Sequence, residues 1–223
     1  MATIDLNPTS GADRATRKTG NPPRALATWG AAAAVAALPL VVLNAATGAA
    51  GPISGRFLFG RVAGLASACC LLIAAVGLLA RPGVLGDFGG AAAGLAAIVG
   101  TGLATGLRWA DAFVVPYLAH VAPSSLGGAT GALGDGIVVS NSAFAIGWLL
   151  VGLAAWNAQH LPRWMSGALV ATSLLALMPS HLDPGHVKHL PTLYDEPVPL
   201  VAAIAAIGAW LLWRRRHEQG SRQ

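Results

Sequence analysis

The chain has 223 residues, of which 55% are hydrophobic and only 10% charged, against roughly 25% charged in a soluble globular domain. Its formal charge of +5 comes from basic residues scattered between apolar runs; no basic patch interleaved with aromatic residues exists, which excludes nucleic acid as a partner. The runs approach the roughly 20 residues that cross a hydrocarbon core and leave no space for a soluble domain, so the predicted fold is all-α: a polytopic integral membrane bundle of about six transmembrane helices, with the lipid bilayer as its main partner.

Residues 1–24 contain Pro, Ser, Thr, Asn, Asp and four basic residues with almost no apolar period, and read as a disordered tail. The transmembrane domain is expected over 25–213. Its first span runs from Ala25 to Thr47 and carries Pro39 and Asn44; it is too long for the apolar region of a signal peptide and is followed by further spans. Gly51 to Gly55, with Ser54 inside, reads as a turn. The second span covers Leu58 to Ala80, where the adjacent Cys69 and Cys70 read as small buried hydrophobes, not a redox pair. A third span begins near Gly90. Gly127, Gly128, Gly131, Gly134 and Gly136 read as a flexible loop before a fourth span from Gly136 to Trp156. The fifth, Met165 to Pro179, and the sixth, Val198 to Trp213, are about 16 residues each, short for a crossing. Residues 214–223 form a basic tail.

Basic residues near the span ends set the orientation. With the N-terminus in the cytoplasm, Arg14, Arg17, Lys18, Arg24, Arg81, Arg163, Arg214, Arg215, Arg216 and Arg222 lie inside, and Arg56, Arg61 and Lys188 outside. Trp29, Trp156, Trp164, Trp210 and Trp213 then fall at inner span ends, Tyr117 and Tyr194 on the outer side, as interfacial aromatics should. Only Lys18 and Lys188 among the basic residues are lysines, a bias that with the Ala and Gly excess fits a GC-rich bacterial genome. The expected location is a bacterial cytoplasmic membrane, both termini cytoplasmic.

Gly60 and Gly64, Gly90 and Gly94, and Gly102 and Gly106 have the spacing that lets helix backbones approach closely. These faces would pack the bundle, or meet a second copy or a partner membrane protein.

Two groups of residues could carry chemistry. Arg108 and Asp111 stand three apart near the outer end of the third span, on one helix face that Thr101 and Thr105 continue inward. Ionisable groups at membrane depth turn toward a bundle interior or a wet cavity. Asn44, Ser140 and Asn141 are expected at a similar depth, so a polar cluster would bind a small solute or relay a proton through Asp111. The same pair also reads as a salt bridge fixing helix register at the headgroup level, beside Trp109. The second group is His181, Asp183, His186 and His189 in an outer loop. Asp183 followed by Pro184 suits a helix start, and imidazoles beside a carboxylate suit Zn²⁺ or a similar metal, although the spacing matches no metalloprotease signature. The other reading is a surface helix lying in the headgroups. His120 and Asp135 fall on the same side.

Walker A, G-x-S-x-G and dinucleotide-binding fingerprints are absent, which favours a non-enzymatic protein. From Arg108 the chain reads Arg-Trp-Ala-Asp-Ala-Phe-Val-Val-Pro-Tyr-Leu-Ala-His-Val-Ala-Pro123, and later Phe144-Ala-Ile-Gly-Trp148 and Pro162-Arg-Trp164. This ordering resembles a loose group of small bacterial polytopic membrane proteins, common in actinobacteria, that brings no activity with it. The resemblance implies a helical membrane fold and draws attention to Asp111, in a run where Trp109, Asp111, Phe113 and Pro116 are the matching residues. Three functions follow as expectations: small-solute or proton-coupled transport, or an accessory membrane subunit; a metal-binding protein, enzymatic or not, using the His/Asp loop; and a membrane scaffold.

Overall fold

The structure, a computed structural model, describes residues 22–47, 54–81, 88–122, 132–178 and 197–221. All regular structure among them is helical: α1 Pro22–Thr47, α2 Gly55–Leu79, α3 Phe88–Trp109, a π turn at Ala110–Val114, α4 Val115–Val121, α5 Ala132–Ala158, α6 Arg163–Leu177 and α7 Val198–Gly220. Five stretches are long and apolar enough to cross a membrane, α3 and α4 counting as one of 31 residues from Phe88 to Leu118. With α6 they form the six-helix membrane bundle. At 1.5 Å per residue the 15 residues of α6 span about 22 Å, short of a core of roughly 30 Å.

Local chemistry explains several boundaries. Prolines suit the first positions of α1, because their missing N–H would find no helical partner anyway; the helix starts at Pro22, ahead of the expected Ala25. Ser54 caps α2, its Oγ accepting from the Phe57 N–H at 3.2 Å, so this hydroxyl is a helix cap. One expectation needs correction. Helix α5 begins at Ala132, which takes Gly134 and Gly136 out of the loop; Leu133 and Ile137 stand four apart and already carry the helical period. Helix α7 continues for 23 residues to Gly220, so most of the basic tail is helix. Hydropathy drops at Arg214, but Arg, Glu and Gln are good helix formers, and Arg214 pairs with Glu218 one turn on at 3.0 Å.

Each helix packs on its chain neighbours: α1 on α2, α2 on α3, α3 on α5, α5 on α6 and α6 on α7. Helix α7 then packs on α1, closing a ring. Small residues such as Ala31, Ala34, Ala37, Ala74 and Ala97 are buried beside larger ones such as Leu169, Leu200 and Ile204, while Phe59, Ile73, Leu95, Val99 and Val139 point outward. Large apolar side chains on the outside are expected where lipid is the solvent, since tails are as apolar as leucine, and the small residues let backbones approach closely. A Cβ on Gly30 would lie 2.6 Å from the Gly77 Cα, so α1 and α2 cross at glycines. Gly60 and Gly64 instead make room for the Thr47 and Asn44 side chains of α1, but Gly102 and Gly106 face open space. Cys69 is exposed and Cys70 partly buried, both free; the expected burial of the pair holds only in part.

The ring is not hollow. Trp148 of α5 is fully buried and borders one crevice together with Ala31, Gly77 and Ile204, so its indole reaches from α5 to α1, α2 and α7. Its Nε1–H donates to Thr101 Oγ1 on α3 at 3.2 Å.

Candidate functional site

Asp111 sits in the π turn that joins α3 to α4. Pro116 explains the turn: it has no N–H and its ring crowds the carbonyl four residues back. Widening the preceding turn relieves that clash, and the Val115 N–H accordingly bonds five residues back to the Ala110 carbonyl. Such turns inside α-helices are frequent at functional sites.

The carboxylate lies between two guanidiniums from different helices. Arg108 Nη1 is 3.7 Å from Asp111 Oδ2, the pairing that spacing predicts. Arg61 Nη1 of α2 is 4.0 Å from the same oxygen, and its guanidinium also lies 4.8 Å over the Phe57 ring, a cation–π contact. Both ion-pair distances exceed the roughly 2.7–2.9 Å of a direct charge-assisted hydrogen bond. Asp111 keeps 26% of its side chain exposed and Arg108 15%, so the group is accessible without being fully hydrated. Trp109 and Phe113 flank the turn, their rings 5.9 Å apart.

Asn44 is buried and packs on Gly64, one turn along α2 from Arg61. Ser140 is buried as well, and its hydroxyl has no hydrogen-bond partner among the described residues. It stands one turn nearer the Asp111 end than Ala143, whose backbone packs on Gly100. Asn141 is exposed on the outside of α5, a different direction from Ser140. Thr101 is fully buried and engaged by Trp148; Thr105 Oγ1 donates back to the Thr101 carbonyl at 2.8 Å. The expected inward threonine stripe therefore ends at the indole.

The structure thus joins Arg108 and Asp111 as spacing implied, adds Arg61, turns Asn44 and Ser140 inward and directs Asn141 outward. No family model, curated protein or solved structure matches this chain. His181, Asp183, His186 and His189 lie outside the described residues; among the described residues no group of three His, Cys, Asp or Glu side chains could hold a metal ion.

Proposed function

We propose that the protein is a bacterial cytoplasmic-membrane protein, with both termini inside, that moves a small solute or protons by way of Asp111 at the outer end of the bundle. One observation carries this reading: a half-buried carboxylate on a π turn, near two guanidiniums yet in direct hydrogen-bonding contact with neither. Such a carboxylate can exchange a proton, or accept a donor from a solute, without first breaking a short hydrogen bond. Ionisable groups at this depth in membrane helices commonly mark ion and solute pathways. The resemblance to small actinobacterial membrane proteins, carried in part by Asp111, supports the same choice of residue.

Trp148 is fully buried and bonded to Thr101 on the same helix that leads to Asp111, so a path running inward from Asp111 along α3 meets its indole. The direct test uses proteoliposomes with an entrapped pH dye and an imposed pH gradient. Asp111→Asn should bring the flux down to that of empty liposomes while the protein remains folded in detergent. An unchanged flux removes Asp111 from the path, and no flux from the native chain removes the transport reading.

A further inference from the structure

We propose that the end of the bundle opposite Asp111 holds the phosphate headgroup of one anionic phospholipid, gripped by Arg81 and Arg215. Arg81 lies just beyond α2, and its side chain lines a crevice with Ala27, Gly30, Leu78 and Leu211. These residues come from α1, α2 and α7. Leu211 is on the α7 wall, and Arg214 and Arg215 follow it at helical spacings of three and four, so they continue that wall past the mouth of the crevice.

The arginines differ in how they are occupied. Arg214 is engaged by Glu218 at 3.0 Å and lies 5.4 Å over the Trp210 ring. Arg216 is exposed, while Arg81 and Arg215 are half-buried. Among the described residues neither of these two has a carboxylate within ion-pair distance. Burial, and then the neighbouring Arg214 and Arg215, push the Arg81 guanidinium below its ordinary value, with Glu218 opposing. Like charges brought together over an apolar crevice are relieved by an anion, and the fork of a guanidinium matches phosphate oxygens.

The surroundings select a lipid as the source of that phosphate. Trp29, Trp164 and Trp213 are 70%, 65% and 58% exposed and sit at this same end of α1, α6 and α7, where exposed indoles mark the interface. A phosphate bound there lies at headgroup depth, with acyl chains beside the apolar outer faces of the helices. Basic pockets between membrane helices collect anionic headgroups in this way. The site stands independently of any role for Asp111.

The test is native mass spectrometry of the full chain in mild detergent, titrated with phosphatidylglycerol or with phosphatidylcholine of the same acyl chains. The native protein should retain phosphatidylglycerol preferentially. Arg81→Ala and Arg215→Ala should each weaken retention about fivefold, and together about 25-fold. The double lysine variant, which keeps the charge, should stay closer to the native protein than the double alanine variant does. Arg56→Ala, on an exposed residue at the other end of α2, should change nothing. The proposal fails if phosphatidylglycerol binds no better than phosphatidylcholine, if the double alanine variant retains it fully, or if Arg56→Ala loses it equally. Displacement by millimolar inorganic phosphate would overturn the lipid assignment in favour of a free anion. Should the double alanine variant not fold, Arg215→Ala at the half-exposed helix end decides by the same criterion.

Discussion

Arg61 and Asp111 illustrate how one charge at membrane depth calls for another. Alone on α2, the guanidinium would face the large penalty of an ion away from water; the Phe57 ring and the Asp111 carboxylate reduce it. Each also links α2 to the segment after α3, so the pair is a tether as well as a candidate site. If the tether contributes to stability, Arg61→Ala and Asp111→Asn should each lower the unfolding free energy in detergent, and the double variant should lose less than the sum. A coupling of about 1 kcal/mol is expected, between the values for exposed pairs and for tightly linked contacts; strictly additive losses would show that the two groups do not interact. Arg108 with Asp111 was legible in the sequence because their contact depends only on helical spacing. Arg61 was not, because a partner on another helix depends on register and rotation, which composition leaves open. A signal did exist: Arg61 falls inside the expected second span, where a lone cation needs an explanation. Ser140 and Asn141 make the same point, since one step along a helix is a rotation of about 100°, enough to send one inward and the other out.

Helix existence was the most readable property, and helix ends the least. Apolar runs locate α1, α2, α5 and α7 well, whereas α7 outlasts its hydropathy because backbone hydrogen bonding does not stop where lipid does. The π turn is a further case: Pro116 was visible in the sequence, but whether the helix would kink, end or widen there depends on its packing. Glycine roles are equally contextual. Gly100 and Gly102 are two residues apart on α3, yet one lies against the Ala143 backbone and the other faces open space. Gly100→Ala should therefore destabilise the bundle by about 1–3 kcal/mol or more through overpacking. Gly102→Ala should be neutral or stabilising by about 0.5–1 kcal/mol, because alanine loses less backbone entropy in a helix. Melting temperatures in detergent that move alike for both variants would contradict the observed rotation of α3.

The ring as a whole depends on one contact that is distant in sequence, α7 on α1, where Gly208 packs against the Ala31 backbone and the Ala34 side chain. If that contact is strong, a chain split between Leu177 and Val198 should still assemble, with the two parts co-purifying when expressed together. Gly208→Leu, which places a branched side chain against α1, should abolish the capture. Failure of the native pieces to associate would mean that the covalent connection, and not the packing, holds α7 in place.

Closure also has a schedule. Roughly 150 residues separate the end of α1 from the start of α7, and at synthesis rates of 5–20 residues per second that is a delay of roughly 8–30 s. For that interval the alanine-rich flank of α1 destined for α7 is already in the bilayer and still uncovered. A nascent chain of this kind offers other membrane proteins a temporary landing place that the finished molecule no longer has, so quality-control factors of the membrane would meet it before α7 arrives and not afterwards.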